Sequence, residues 1–221
     1  MIPQSEYVFL IAGGPSTEEH AAALRQLKHC GYFMGVNDSF LHVPCDAIVS
    51  MDGRWMHERR EDWLKTDIPK HLSWKHYKKW LKDDPRETLP KDNIFLYDVD
   101  TKKTGMSVNT TTLFAKHSGA MALNLAFLMK PKAVFLFGMD HTAHRFGQTI
   151  KEHWYGDYPW RPKRDLFYHM KEWLPDHDVA AKQFTEAEIG VYNISRISIV
   201  ESYKKWSMQD VLNHFGILQA S

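Results

Sequence analysis

Cysteine is almost missing from this chain: Cys30 and Cys45 are the two among 221 residues. Two thiols beside apolar runs make no disulfide framework, and the expectation is a pair of buried, reduced side chains in a cytosolic protein. Net charge is almost missing as well, with Lys+Arg 28 against Asp+Glu 27 and a formal charge of +1. Attraction to a charged partner must therefore come from a local patch. No long uncharged apolar stretch occurs, which excludes a transmembrane helix. The opening Met1-Ile2-Pro3-Gln4-Ser5-Glu6 lacks a basic n-region, so no secretory signal is expected and a cytoplasmic location is. Neither G-x-G-x-x-G nor G-x-x-x-x-G-K-[ST] is present, which argues against an ordinary NAD enzyme and against a P-loop kinase. C-x-x-C and H-E-x-x-H are missing too, and structural zinc is not expected.

What is present is a globular composition: 43% apolar residues with 13% aromatics exclude a disordered or low-complexity chain. Short β-rich runs alternate with helical patterns, the signature of βα units and a mainly parallel sheet. Tyr7–Ala12 is apolar throughout, as a strand covered on both faces should be. Gly13-Gly14-Pro15-Ser16 breaks it, and a helix is expected next, with Ser16 and Glu19 as a capping box. Tyr32–Val36, Asp46–Ser50, Ile94–Tyr97, Ala133–Phe137 and Val191–Ile194 read as further strands. Ser118–Met129 reads as an apolar helix, and helical patterns recur near Arg164–Leu174, Asp176–Glu188 and Met208–Phe215. A polar, aromatic loop is expected from His141 to Lys163. With no internal repeat and no linker, the expected architecture is one Rossmann-like α/β domain over residues 1–221.

One stretch breaks the neutrality. From Arg54 to Lys82 there are nine Lys/Arg against four acids, together with Trp55, Trp63, Trp74 and Trp80, half of the 8 tryptophans. We read residues 54–90 as a basic, Trp-rich helical insertion. Trp55, Arg59 and Trp63 share one helical face, and Trp74, Lys78 and Leu81 share another. Two functions fit: amphipathic helices that bury tryptophan on the sheet, or a platform where Lys and Arg meet phosphate and tryptophan stacks on bases or sugars.

Open parallel sheets bind ligands beyond the carboxyl ends of their strands. The residues found there are Gly13, Gly14 and Ser16, then Asn37, then Ser50 and Asp52, then Asp140, then Asn193 and Ser195. All are small or polar, which suits a nucleotide pocket. Paired glycines let a backbone approach a ligand closely, and a helix N-terminus offers N–H groups and positive potential to phosphate. Ser118-Gly119 opens a helix and is a second such corner. The amides of Asn37 and Asn193 can both donate and accept, as recognition of a base or ribose requires.

The set IAGGPS, GVND, CDAIVSMDG, HSGAMALNLAFLMKPKAVFLFGMD and VYNIS, in that order, resembles the bacterial lipooligosaccharide sialyltransferase family and the related 6-hydroxymethylpterin diphosphokinase-like family. The resemblance runs from Phe9 to about Ser195 and leaves out the basic insertion. It implies a nucleotide pocket in which Gly13, Gly14, Ser16 and Asn37 hold the nucleotide of a donor sugar. It also implies that Ser118 and Gly119 line the same pocket and that Asp140 is the acidic residue after the central strand. Ala115 stands where the sialyltransferases carry a basic residue, with Lys116 beside it, and their His-Ser pair has no counterpart.

The loop after Asp140 supplies replacements. His153-Trp154-Tyr155-Gly156-Asp157-Tyr158 places an imidazole with two phenols over the expected pocket. A histidine can take the proton of an acceptor hydroxyl, and Tyr155 and Tyr158 can hydrogen-bond a leaving phosphate. Asp98-Val99-Asp100 has the form of a DxD pair that would hold Mg²⁺ or Mn²⁺. His141 and His144, three apart, are expected to face solvent. The leading functional reading is a glycosyltransferase with a nucleotide-sugar donor and no required metal, acting on an acceptor hydroxyl of a glycan or a modified nucleic-acid base, with an anionic acceptor, nucleic acid included, meeting residues 54–82. The alternatives are an ATP- and Mg²⁺-dependent diphosphokinase-like transferase with Asp52 and Asp140 on the metal, and a non-catalytic nucleotide- or nucleic-acid-binding protein.

Overall fold

The computed structural model describes residues 3–81, 93–142, 144–146, 149–151, 153–156, 158–160 and 166–217. In chain order the regular elements are β1 (Tyr7–Ile11), α1 (Ala21–Gln26), β2 (Tyr32–Val36), β3 (Ala47–Ser50), α2 (Gly53–Glu58) and α3 (Arg60–Leu64). Next come β4 (Lys70–Ser73), α4 (Trp74–Leu81), β5 (Ile94–Asp100), β6 (Thr112–Phe114), α5 (Ser118–Met129) and β7 (Ala133–Phe137). A short hairpin follows, β8 (His144–Phe146) with β9 (Thr149–Lys151), then α6 (Leu166–Glu186), β10 (Gly190–Asn193), β11 (Lys204–Lys205) and α7 (Met208–His214).

Nine strands make one sheet in the order β11-β10-β7-β1-β2-β3-β4-β5-β6, and the neighbours pair in parallel. The fold is α/β and Rossmann-like, as the alternating pattern predicts. The chain builds outward from β1 to β6, and α5 then returns it to β7 on the other side of β1. Strand order therefore reverses between β1 and β7, and a crevice opens at their carboxyl ends. Along β1, Val8 and Leu10 enter the core beneath α5 and α6, while Phe9 and Ile11 enter the opposite core with α1 and α7. Phe9 stacks on Phe33 at 4.4 Å and on Phe135 at 5.1 Å, which ties three neighbouring strands on one face. Burial on both faces explains why these strands read as continuous apolar runs.

Four expectations need correction. The segment after β1 is a 3₁₀ helix, Pro15–His20, without a side-chain cap, because the Ser16 hydroxyl donates to Asp140 instead of closing a capping box. The basic stretch is not wholly helical: β4 lies inside the sheet between β3 and β5. Its Lys70-His71-Leu72-Ser73 looks polar, yet all four residues are buried. Lys70 Nζ donates to the Thr66 carbonyl, the His71 ring meets the Tyr97 hydroxyl at 2.9 Å, and Ser73 meets His76 at 2.9 Å. Satisfied polar groups can line a core, and a composition-based reading has no means of seeing the partners. The two helical patterns around Pro175 are one helix, α6, with that proline on its exposed side. Cys30 and Cys45 are free but half-buried rather than buried, and burial pushes the Cys45 thiol up to about 12, which leaves it inert at neutral pH.

His71 gives a testable pH dependence. Its burial lowers the imidazole from the ordinary 6.5 to about 4, so the folded protein holds it neutral while the unfolded chain takes up a proton below pH 6.5. Stability is fully present above that pH and declines on acidification toward pH 4, by about 1.4 kcal/mol per pH unit. Between pH 7 and pH 5 this residue should account for a loss of about 2 kcal/mol. Urea melts of wild type and His71→Phe at the two pH values check it: the variant should lack that part of the loss.

Candidate functional site

At the β1–β7 crevice lies a cavity of about 410 Å³. Its wall takes Gly13 and Gly14 from the end of β1, Asn37 from β2, Asp52 and Arg54 from the β3–α2 junction, and Gly138 to Thr142 from the end of β7. Lys116, His117, Ser118 and Gly119 come from the start of α5, His76 from α4, and His153 and Tyr155 from the aromatic loop. Residues scattered through the chain are thus gathered by strand ends, helix starts and the aromatic loop.

The glycine loop is packed against protein. Gly14 N donates to the Gly138 carbonyl at 2.9 Å. Ser16 N and Ser16 Oγ donate to the two carboxylate oxygens of Asp140 at 2.9 and 2.6 Å. A β-carbon at Gly14 would lie 2.4 Å from the Gly138 oxygen and 2.5 Å from Asp140 Oδ2. Here the close approach that needs glycine is to Asp140, which occupies the anionic place at the helix start. Ser16 is buried beside it and does not line the cavity.

The start of α5 is arranged differently. His117 caps the helix by accepting Ala120 N–H on Nδ1 at 3.2 Å. Ser118 Oγ accepts Met51 N–H at 3.0 Å, which pins the helix to the end of β3. The N–H groups of Ser118 and Gly119 have no acceptor within the helix, and both residues lie on the cavity wall. Cations flank them. Arg54 is half-exposed with a loose pairing to Glu58 at 3.8 Å, and Lys116 is held by Asp176 at 2.9 Å. Across the cavity Asn37 sits at a positive φ of 52°. Its side chain is part of the wall, while its Oδ1 is buried and accepts no hydrogen bond among the described residues.

The aromatic loop folds back over β1. Trp154 N donates to the Gly13 carbonyl at 3.0 Å, which brings its neighbours to the glycine. A β-carbon at Gly13 would lie 2.6 Å from the Tyr155 hydroxyl and 2.8 Å from His153 Nδ1. The ring of His153 stacks on Tyr155 at 5.3 Å. Tyr158 is buried, meets the Tyr155 hydroxyl at 3.0 Å and does not line the cavity. Burial raises its phenol well above the ordinary range, so it remains protonated and positions Tyr155. Asp157 lies outside the described residues.

This fold has a solved counterpart. The MAf glycosyltransferase from Magnetospirillum magneticum AMB-1 is similar at a TM-score of 0.59, over 95% of this chain and 35% of that one, with 11% sequence identity. The present chain spans about a third of that protein's length, and the likeness is one of fold. No family model and no curated protein matches the chain. The resemblance to sialyltransferases and diphosphokinase-like proteins is thus accompanied by a fold shared with a glycosyltransferase, without support for either family by name.

Other expected residues fall elsewhere. Asn193 is fully buried, donates to Ser198 Oγ at 3.0 Å and to the Val200 carbonyl, and accepts Ser195 N–H, so it braces a turn away from the cavity. Asp52 lines the cavity, but its carboxylate caps α2 by accepting Arg54 and Trp55 N–H. Asp98 and Asp100 belong to β5 near the sheet edge and take no part in the wall. Trp55 and Trp63 are core residues, and Trp74 is exposed with Lys78 over its ring at 4.2 Å. The Trp80 side chain and Lys82 lie outside the described residues. His141 is buried rather than solvent-facing, because it turns inward to meet His177, their Nε2 atoms 3.0 Å apart. The His144 side chain lies outside the described residues. Sequence reasoning missed Arg54, His76, His117 and Trp173 on the wall. Of these, His117 alone had a local signal, standing directly before Ser118-Gly119.

Proposed function

We propose that this chain is a glycosyltransferase that moves a sugar from a nucleotide donor to an acceptor hydroxyl. The observation that carries this reading is the cavity wall at the strand reversal, which takes in the start of α5 at Ser118 and Gly119, Arg54 and the Asn37 side chain. Phosphate suits the first two and a base or ribose suits the side-chain amide of the third. The glycine loop then shapes the wall rather than cradling the phosphate. His153 serves as the base: it takes the acceptor proton as the hydroxyl oxygen attacks the anomeric carbon, and the sugar–phosphate bond breaks with its electrons on the leaving oxygen. Charge on that oxygen is stabilised by the start of α5 and by Arg54.

This proposal requires no metal, one domain and a cytoplasmic setting. Among the described residues, no helix is long and apolar enough to cross a membrane. The acceptor is an anionic glycan or nucleic acid, since α4 puts His76 on the cavity wall while Lys75, Lys78 and Trp74 are exposed. A thermal-shift panel of CMP-, UDP-, GDP- and ADP-sugars, with ATP and Mg²⁺ as the rival, tests the donor. A ligand at 100 times its Kd should stabilise by about 2.7 kcal/mol. Arg54→Ala should weaken the best nucleotide by roughly 10- to 100-fold, as expected for losing a charged hydrogen bond, and leave the affinity for the free nucleoside unchanged. Equal loss with the nucleoside would place Arg54 away from the phosphate.

A further inference from the structure

Three imidazoles from three elements converge beside the cavity: His117 before α5, His141 after β7 and His177 on α6. Each offers a ring nitrogen, and these atoms lie within 4.8 Å of one another. The Nε2 atoms of His141 and His177 are 3.0 Å apart, close to the spacing of two ligands on one tetrahedral ion with bonds of about 2.0–2.1 Å.

The surroundings are those of a ligand set. The other nitrogen of His177, Nδ1, meets the buried Tyr203 hydroxyl at 3.0 Å, the kind of outer contact that fixes a ligating histidine's tautomer. Trp173, one turn before His177, stacks on His117 at 4.5 Å and meets His141 edge-on at 5.6 Å, closing one side. His141 has a positive φ of 49°, an uncommon backbone state for a residue other than glycine, and one that turns its ring toward the other two.

We propose that His117, His141 and His177 form a binding site for a divalent transition ion of the zinc class, with its remaining coordination position directed to the cavity. Three nitrogen donors with no carboxylate in the set favour Zn²⁺, Co²⁺ or Ni²⁺ over Mg²⁺ and Mn²⁺. His117 and His141 line the cavity and His177 does not, so an ion among them faces the cavity on one side. A water or an anionic oxygen of the occupant completes its coordination. The three rings hold the ion whatever nucleotide the cavity takes.

The test uses the full chain after treatment with a chelator, without nucleotide. Co²⁺ should bind at one equivalent with the visible absorption of a four- or five-coordinate ion, and Zn²⁺ should displace it, while Mg²⁺ and Mn²⁺ should not. His141→Ala and His177→Ala should abolish the Co²⁺ spectrum, and His76→Ala, outside the cluster, should retain it. Tyr203→Phe keeps the ring in the core and should weaken Zn²⁺ by roughly 10- to 100-fold, which decides the matter if a histidine variant fails to fold. Absence of the Co²⁺ band in wild type, or an unchanged affinity in both His141→Ala and Tyr203→Phe, overturns the site. Neither outcome bears on nucleotide binding, which the Arg54 titration reads separately.

Discussion

Asp140→Ala is expected to cost about 3 kcal/mol of stability, because the buried Ser16 amide and hydroxyl each lose the carboxylate they donate to. For a chain of this size that is a fall in Tm of roughly 6–12 °C. Ser16→Ala alone should cost less, and the double variant should cost less than the sum, since the two residues share one interaction. The folded Asp140→Ala protein should still bind nucleotide at low temperature, with no response to Mg²⁺ in either form. A different pattern, with stability nearly unchanged and nucleotide or Mg²⁺ binding lost, would make Asp140 a ligand residue and favour a diphosphokinase-like transferase. Melts and titrations on the same samples separate the two.

His153→Gln should lower kcat by roughly 10²- to 10⁴-fold, the usual contribution of a positioned general base. KM for the donor should change little, because the ring contacts the acceptor hydroxyl in the proposed reaction and not the nucleotide. Glutamine keeps a polar group beside Gly13, so the melting temperature should hold. Tyr158→Phe removes the hydroxyl that meets Tyr155 and should act more mildly, through the placement of Tyr155. If His153→Gln turns over at the wild-type rate, the base is another group and the aromatic loop is a cover only.

The strands that carry the site were legible because burial on both faces leaves unbroken apolar runs such as Tyr7–Ile11 and Ala133–Phe137. Their parallel pairing followed from βα alternation, and the strand ends named Gly13, Asn37, Asp52 and Asp140, with Ser118 at a helix start, as neighbours of one space. What was not legible had its explanation in partners distant along the chain. β4 hid behind Lys70, His71 and Ser73, whose hydrogen bonds neutralise their burial. Asp140 looked like a ligand until Ser16, 124 positions away, took both of its oxygens. The three histidines at 117, 141 and 177 have no common spacing, so no motif announces them; only the packing of α5, β7 and α6 brings them together.

The central claim is that the phosphate of a nucleotide sits at the start of α5. A crystal structure with whichever nucleotide gives the largest thermal shift reads this directly. It should show phosphate oxygens accepting the Ser118 and Gly119 N–H groups at about 2.7–3.2 Å, with the Asn37 side-chain amide against the base or ribose. Phosphate on the Ser16 N–H with Asp140 displaced, or a cavity left empty at saturating nucleotide, would contradict it.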